Sequence, residues 1–389
     1  MSDILEAEPE VNGLTQVEPT LPSNWYFDPA QYHRELRNIW YRNWIYLCRS
    51  ETLDAPLAFR TFEIGDQNVL LVRDENGALN AFHNTCRHRG AVLKTEPSGR
   101  LQARAITCPY HAWTYKLTGE LARMPSKLCA PDFSKADHGL YKIALAEWSG
   151  FVFINLDENA GPFDAAPDRD DSAPVDNWPL ADLRVGHSVR KLLACNWKVF
   201  WENYNECLHC AHAHPELSDI VPIYSRGLLS QRDDPNWRAQ GDTTDPKLKG
   251  GLKIGAETWS MDGRALPYTF PKLTEAERAA GQTYFTKLPS MYMVAHIDYV
   301  RIVHMRPLGP EQTELTAEWL FPAETLNDPA FDLPKAVEFA DLVMRQDVAL
   351  CELNQKGLHS LRHRTGTLMP EEYLVHKLHN WVRSQLDES

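Results

Sequence analysis

Cys86-Arg87-His88 and Cys108-Pro109-Tyr110-His111 each put a thiolate and an imidazole on one short stretch of chain. Together they offer two sulfurs and two ring nitrogens. That donor set suits a [2Fe–2S] centre in which one iron takes two Cys and the other takes two His. Replacing thiolate with neutral imidazole makes the cluster less negative and raises its reduction potential. A centre of this kind passes one electron at a time, so something else in the chain must receive it.

Two other readings compete. Structural zinc also uses Cys and His, but its pairs read Cys-x₂-Cys and His-x₃₋₅-His, and the mixed order Cys-x-His then Cys-x₂-His is foreign to it. The other reading is four unrelated core residues, yet two pairs of this form beside hairpin-like segments favour the Cys₂His₂ arrangement, a Rieske cluster. The flanks fit loops on a small antiparallel β domain. Gln67–Arg73 has a β-like apolar centre followed by the turn 74–77. The segments 81–84 and 105–107 lead into the loops, 113–115 leads out, Thr118-Gly119 turns, and 150–155 reads as a strand. Gly90 and Pro109 suit loops that bring backbone N–H groups near sulfur. His83 precedes Cys86 at the wrong spacing and is expected to be structural.

A second cluster of donors follows a helical pattern. Trp197, Phe200, Trp201 and Tyr204 fall at i, i+3, i+4 and i+7, one apolar face. Glu206, His209, Cys210, His212 and His214 then crowd into nine residues. Non-haem Fe(II) oxygenases hold iron with two His and one carboxylate and leave positions open for O₂ and substrate. His209 and His212 share a face of a regular helix, whereas His209 and His214 lie about 140° apart. Regular geometry therefore favours His212, although a π-bulge or a helix end would admit His214. Cys207 and Cys210 form a Cys-x₂-Cys with no second pair to complete a zinc site. Core histidines satisfied by neighbours are the plain alternative.

The chain has 389 residues, enough for two domains each with a core, and a net charge of −13 that argues against nucleic acid or an anionic membrane as partner. No apolar run of about 18 residues suggests a membrane span. Residues 1–22 are acidic and polar, which predicts a disordered leader and no signal peptide. The eight cysteines are scattered, so reduced thiols in a cytoplasmic protein are expected rather than a disulfide framework. Residues 156–178, rich in Pro, Asp and Ala, read as a linker, and 231–253 as a flexible, lid-like loop.

The two loops together with Glu-Asn-Tyr-Asn-Glu-Cys-Leu-His-Cys-Ala-His-Ala-His (202–214) resemble the α subunit of Rieske non-haem iron oxygenases, over nearly the whole chain from Trp40–Trp44 onward. The family pattern, carboxylate-x₂-His-x₄-His, maps onto Glu206, His209 and His214 and leaves His212 over. The resemblance implies a third iron ligand on a late helix, and in the helical pattern of 338–357 that position is Asp347. Asp341 and Glu352 nearby are expected to face solvent or pair with Arg345 and Lys356. Cys86, His88, Cys108 and His111 would hold the [2Fe–2S] cluster. Glu206 would bridge a cluster imidazole of one subunit and an iron-ligating His of the next in a homotrimer, with electrons supplied from NAD(P)H by a flavin reductase, with or without a ferredoxin, and O₂ as oxidant. Either His88 or His111 would be the point where the electron leaves the cluster.

In ring-hydroxylating dioxygenases the bridge is usually Asp. Glu206 resembles instead the branch acting on quaternary ammonium compounds, namely choline, carnitine and glycine betaine monooxygenases, as does Pro307-Leu-Gly-Pro310. This implies hydroxylation of an N-methyl carbon and oxidative N-demethylation. Such a site wants aromatic faces for the cation. The stretch 284–305 reads as strands with several aromatics, but ordinary core packing explains each one singly. An aromatic-ring hydroxylase on the same scaffold is the second reading and a pure electron carrier the third. The expected fold is α+β: a leader and helix over 1–44, with the helix near 32–44, a Rieske domain over 45–156, and a catalytic domain with an antiparallel sheet flanked by helices over 157–389.

Overall fold

The computed structural model describes residues 11–128, 130–169 and 173–387. Strand Gln67–Arg73 shows how the cluster-bearing half is assembled. All of Val69, Leu70, Leu71 and Val72 are buried. Because successive strand residues point to opposite faces, Val69 and Leu71 enter one apolar cluster and Leu70 and Val72 enter another. Antiparallel neighbours Leu79–His83 and Ala58–Ile64, with Ser98–Arg100 outside the latter, complete a four-stranded sheet. A small ladder of Ile106–Thr107, Thr114–Tyr115 and Leu121–Arg123 follows. Cys86 and Cys108 are buried in the same apolar cluster as Leu70, Phe82 and Tyr115.

The catalytic half is organised by a five-stranded antiparallel sheet in the order Arg184–Leu193, Gln312–Phe321, Val300–Gly309, Met291–His296, Gln282–Lys287. It too is covered on both faces. Tyr292 and Val294 pack with the helices, while Met291, Met293 and Ala295 pack on the opposite side with Tyr46, Phe151 and Phe153 from the sheet Ala144–Trp148, Phe151–Asn155, Ile45–Arg49. Against the first face lie helices Trp197–Tyr204 and Leu333–Leu358, which carry or border the donor residues. The fold is α+β.

Helix Trp197–Tyr204 starts where Asn196 accepts the Lys198 N–H and stops at Asn205, whose side chain donates to the Trp201 carbonyl at 2.7 Å. Its buried face is anchored by polar contacts. Trp201 Nε1 donates to the Pro289 carbonyl at 2.7 Å and Trp197 Nε1 to Glu35 at 2.8 Å. Lys198, fully buried, donates to both Glu35 oxygens, to Asn196 and to the Trp25 carbonyl. A buried pair of this kind is tolerable only when every donor is satisfied.

Several sequence expectations change here. Residues 1–10 of the leader lie outside the described residues, but 11–22 are not disordered: Glu18–Pro19 pairs with Thr367–Leu368, and Leu21 is fully buried. The helix near 32–44 is Pro29–Glu35 continued by one π-helical turn, Leu36–Trp40. The described part of the 156–178 stretch is irregular but not merely a linker, since Val175 and Trp178 are buried and Trp178 Nε1 donates to the His296 carbonyl. Segment 231–253 contains the short helices Gln231–Asp233, Trp237–Gln240 and Pro246–Lys249. Asp341 pairs with Arg345 as expected and also with Lys191. Glu352 instead accepts the Ala194 N–H, which fastens the helix to the sheet's edge strand. Among the described residues no helix is long and apolar enough to cross a membrane.

Candidate active site

The two Cys/His loops are built alike. Cys86 N donates to the Ala91 carbonyl and Gly90 N to the Cys86 carbonyl; Cys108 N donates to the Trp113 carbonyl and Ala112 N to the Cys108 carbonyl. Each loop therefore closes over the same span, and the closing residue takes a positive φ in both, +76° at Gly90 and +55° at Ala112. For Ala that conformation costs about 1–2 kcal/mol, so the loop shape is enforced by its surroundings. The result separates the donors by burial. Both thiols are inside, whereas His88 is exposed and His111 half-buried, with ring centroids 4.7 Å apart. Trp113 stacks on His88 at 4.9 Å. The Tyr115 hydroxyl lies 3.2 Å from Cys86 Sγ and accepts the Arg87 N–H. His83 stays in its strand, edge-on to Tyr141.

The second donor set forms where a helix fails to continue. The chain leaves helical geometry at Asn205, makes a single turn Cys210–Ala213, and restarts at Pro215. A residue before proline is driven from the helical region, and His214 has φ −128° and ψ 67°. The regular-helix argument for His212 fails at this break. His212 is exposed, while His214 is buried and its ring lies 5.1 Å from that of His209. From helix Leu333–Leu358, Asp347 places Oδ1 2.9 Å from His214 Nε2 and 3.4 Å from His209 Nε2. All three donor atoms fall within 4.8 Å of one another.

Each imidazole presents Nε2 to Asp347 and has Nδ1 held from behind. His209 Nδ1 meets Glu206 Oε1 at 2.5 Å, and His214 Nδ1 meets Gln346 Oε1 at 2.7 Å. Fixing Nδ1 selects the tautomer that leaves Nε2 free as a metal ligand. Burial drives the His209 imidazolium down, but Asp347 and Glu206 outweigh it and lift its pKa to about 9; His214 is also raised. Burial pushes Asp347 up, and the two imidazoles more than reverse this, to about 2. A carboxylate that wants positive charge beside two oriented ring nitrogens fits a divalent cation. Cys207 and Cys210 flank His209 and are joined by a disulfide, against the expectation of reduced thiols; Cys48, Cys86, Cys108, Cys195 and Cys351 are free. Cys129 lies outside the described residues.

A cavity of about 240 Å³ opens onto this triad. Tyr204, Tyr224, Trp259, Tyr284 and Tyr292 supply aromatic walls, Arg169 and Arg301 positive charge, and Asn12 and Ser230 polar rim. That volume falls below the roughly 300–1,000 Å³ of drug-sized sites, which favours a small substrate. Tyr284 and Tyr292 come from the aromatic strand region singled out in the sequence; Phe285 and Tyr299 from the same region are core. Gln346, Trp259, Arg301 and Asn12 had no sequence signal beyond Gln346's adjacency to Asp347, because tertiary packing alone brings them here.

The family model for the ring hydroxylating α subunit catalytic domain matches residues 180–388, and that for the Rieske [2Fe–2S] domain matches 43–134. The chain belongs to the ring-hydroxylating oxygenase α subunits of Rieske type. Its cofactors are accordingly a Rieske [2Fe–2S] cluster and mononuclear iron, it is an O₂-using oxidoreductase, and oxygenases of this family work with reductase partners and form oligomers. The chain is similar to the glycine betaine monooxygenase oxygenase subunit of Chromohalobacter salexigens, 29% identical with 90% of this chain and 82% of that one covered. It is 27% identical to the chloroplastic choline monooxygenase of Spinacia oleracea, covering 94% and 78%. A solved quaternary ammonium Rieske monooxygenase, described for carnitine oxidation and inter-subunit electron transfer, shares the fold with a TM-score of 0.67 at 22% identity, covering 97% and 96%.

Proposed function

We propose that this chain is the terminal oxygenase of a system that N-demethylates a small quaternary ammonium compound. The observation that carries this reading is the small aromatic-walled cavity ending on the His209, His214 and Asp347 triad. Tyrosine and tryptophan faces stabilise a trimethylammonium group, which cannot hydrogen-bond. A cavity of about 240 Å³ leaves little room for a polycyclic hydrocarbon, which disfavours the ring-hydroxylase reading.

In this proposal Cys86, His88, Cys108 and His111 hold the cluster, and His209, His214 and Asp347 hold the iron, which supplies reductive activation of O₂. The chain's own residues do the rest. The aromatic walls hold one N-methyl carbon toward the triad and shed water from it. Glu206 and Gln346 keep the two imidazoles oriented. O₂, two electrons and two protons convert the N-methyl group to N-hydroxymethyl and give one water. The N-hydroxymethyl product then breaks its C–N bond, releasing formaldehyde and a proton and leaving the tertiary amine. The chain works in the cytoplasm, and the electrons come from NAD(P)H through a flavin reductase, with or without a ferredoxin. Glu206 would bridge the electron path between neighbouring subunits of a homotrimer, accepting a hydrogen bond from a cluster imidazole of one and from His209 Nδ1 of the other. The cluster domain corresponds to residues 45–156 and the catalytic domain to 157–389, with the described part of 1–44 packing on the latter.

A panel of quaternary ammonium and aromatic substrates with a generic reductase tests this. Substrate-dependent O₂ uptake with equimolar formaldehyde is expected from an ammonium compound. A cis-diol or phenol without formaldehyde would overturn the reading.

A further inference from the structure

Arg301 sits on strand Val300–Gly309 directly opposite Val294, which in turn faces Tyr284 on the next strand. All three share the sheet face that borders the cavity, and all three line it. The Arg301 residue is only 5% exposed. Its one hydrogen bond runs from Nη1 to the Ala340 carbonyl at 3.5 Å, and its Nε has no partner. No described carboxylate comes within the 4.0 Å of an ion pair. Other buried cations in this chain are treated differently. Lys198 has four oxygen acceptors, and Arg49 donates to the carbonyls of Ser149, Leu180 and Leu183.

A guanidinium withdrawn from water without a counter-charge is destabilising, and its persistence beside a cavity points to a counter-charge that arrives from outside. The cavity's own acids are committed: Asp347 to both imidazoles, and Glu206 to His209 and the Leu208 N–H. Trp259, on the same wall, also has a buried Nε1–H without an acceptor. Both residues line the same small space.

We propose that Arg301 binds a carboxylate of the substrate, so that the preferred substrates are zwitterions bearing both a carboxylate and an ammonium group, and not amino-alcohols. Only the ammonium half rests on the function proposed above. The planar fork of Arg matches a carboxylate with two parallel hydrogen bonds. Arg301 then orients the molecule, with its anionic end against the sheet and its N-methyl end toward the aromatic walls and the triad.

Calorimetry on the holoenzyme with a two-by-two set of ligands separates the two halves. The set is glycine betaine, choline, and the two counterparts in which a tert-butyl group replaces the trimethylammonium. Each carboxylate is expected to bind roughly 10–100-fold more tightly than its alcohol partner, the range of hydrogen bonds to a charged group. Arg301→Gln should erase that preference without lowering the melting temperature, since it removes an unpaired buried charge, and Arg301→Lys should keep part of it. Equal binding of carboxylate and alcohol, no binding of either carboxylate, or a preference that survives Arg301→Gln would overturn the proposal. Equal binding of ammonium and tert-butyl compounds would sink the quaternary ammonium reading and leave the anion site standing.

Discussion

The proposed cluster donors all lie within residues 86–111, on two turns closed by the same backbone hydrogen bonds, with thiols inside and imidazoles toward solvent. The second triad is assembled differently. His214 and Asp347 are 133 residues apart, and the imidazoles occupy a broken helix held against one long helix at the mouth of a cavity. The contrast follows from the two tasks. A site that only exchanges electrons needs local rigidity and an exposed edge. A site that must admit a substrate needs walls from several elements, and so long-range packing.

The comparison predicts separable failures. His209→Ala or Asp347→Ala should lower turnover by about 10³-fold or more, about 4 kcal/mol in barrier terms, while the visible and EPR signatures of the cluster stay intact. Cys108→Ser should abolish both. A cluster lost on His209→Ala would mean that the two regions are not independent. Glu206→Gln should come next, with roughly 10–100-fold slower turnover, unchanged substrate affinity and both metals retained on analysis. Loss of iron instead would assign Glu206 only to holding His209.

Acid stability probes the sheet that backs the cavity. Burial, helped by Arg306 and Arg60, pushes the His304 imidazole down to about 3. A folded pKa below the unfolded value of about 6.5 means that the unfolded chain binds the extra proton, so stability is complete above that value and falls as pH drops toward 3. At pH 5 the loss from His304 is about 2 kcal/mol. Denaturant midpoints of His304→Gln should therefore decline less between pH 7 and 5, and parallel curves would remove His304 as the cause. The smallest expected effect lies at the cluster. Tyr115→Phe removes a hydroxyl contact to Cys86 and should lower the midpoint potential by roughly 40 mV, one hydrogen bond of about 1 kcal/mol for a one-electron couple. Protein-film voltammetry reads it, and an unchanged potential would show that the 3.2 Å contact is electrostatically idle.

Legibility in the sequence divides along the same line. The proposed cluster donors stand out in the sequence because their spacing is local. The apolar face from Trp197 to Tyr204 and the late helix around Asp347 were readable from periodicity. Regular-helix geometry alone favours His212, and His214 comes from the family pattern; Pro215, one residue on, forbids the continuous helix that the geometric argument assumes. Gln346, Trp259 and Arg301 were silent because nothing in a strand or helix pattern tells which residue will line a cavity. Residues 11–22 looked like a polar leader, yet Asn12 reaches the cavity rim, held there by contacts with Arg232 and Asp233.

The central claim is that the two regions are halves of one catalyst whose electron passes between subunits. Co-expression of a cluster-dead chain, Cys108→Ser, with an iron-dead chain, His209→Ala, under different affinity tags isolates hybrids containing both. Each parent alone should be inactive, and the hybrids should regain substrate-dependent O₂ uptake and formaldehyde release. Hybrids that contain both chains and remain as inactive as the parents would contradict the account.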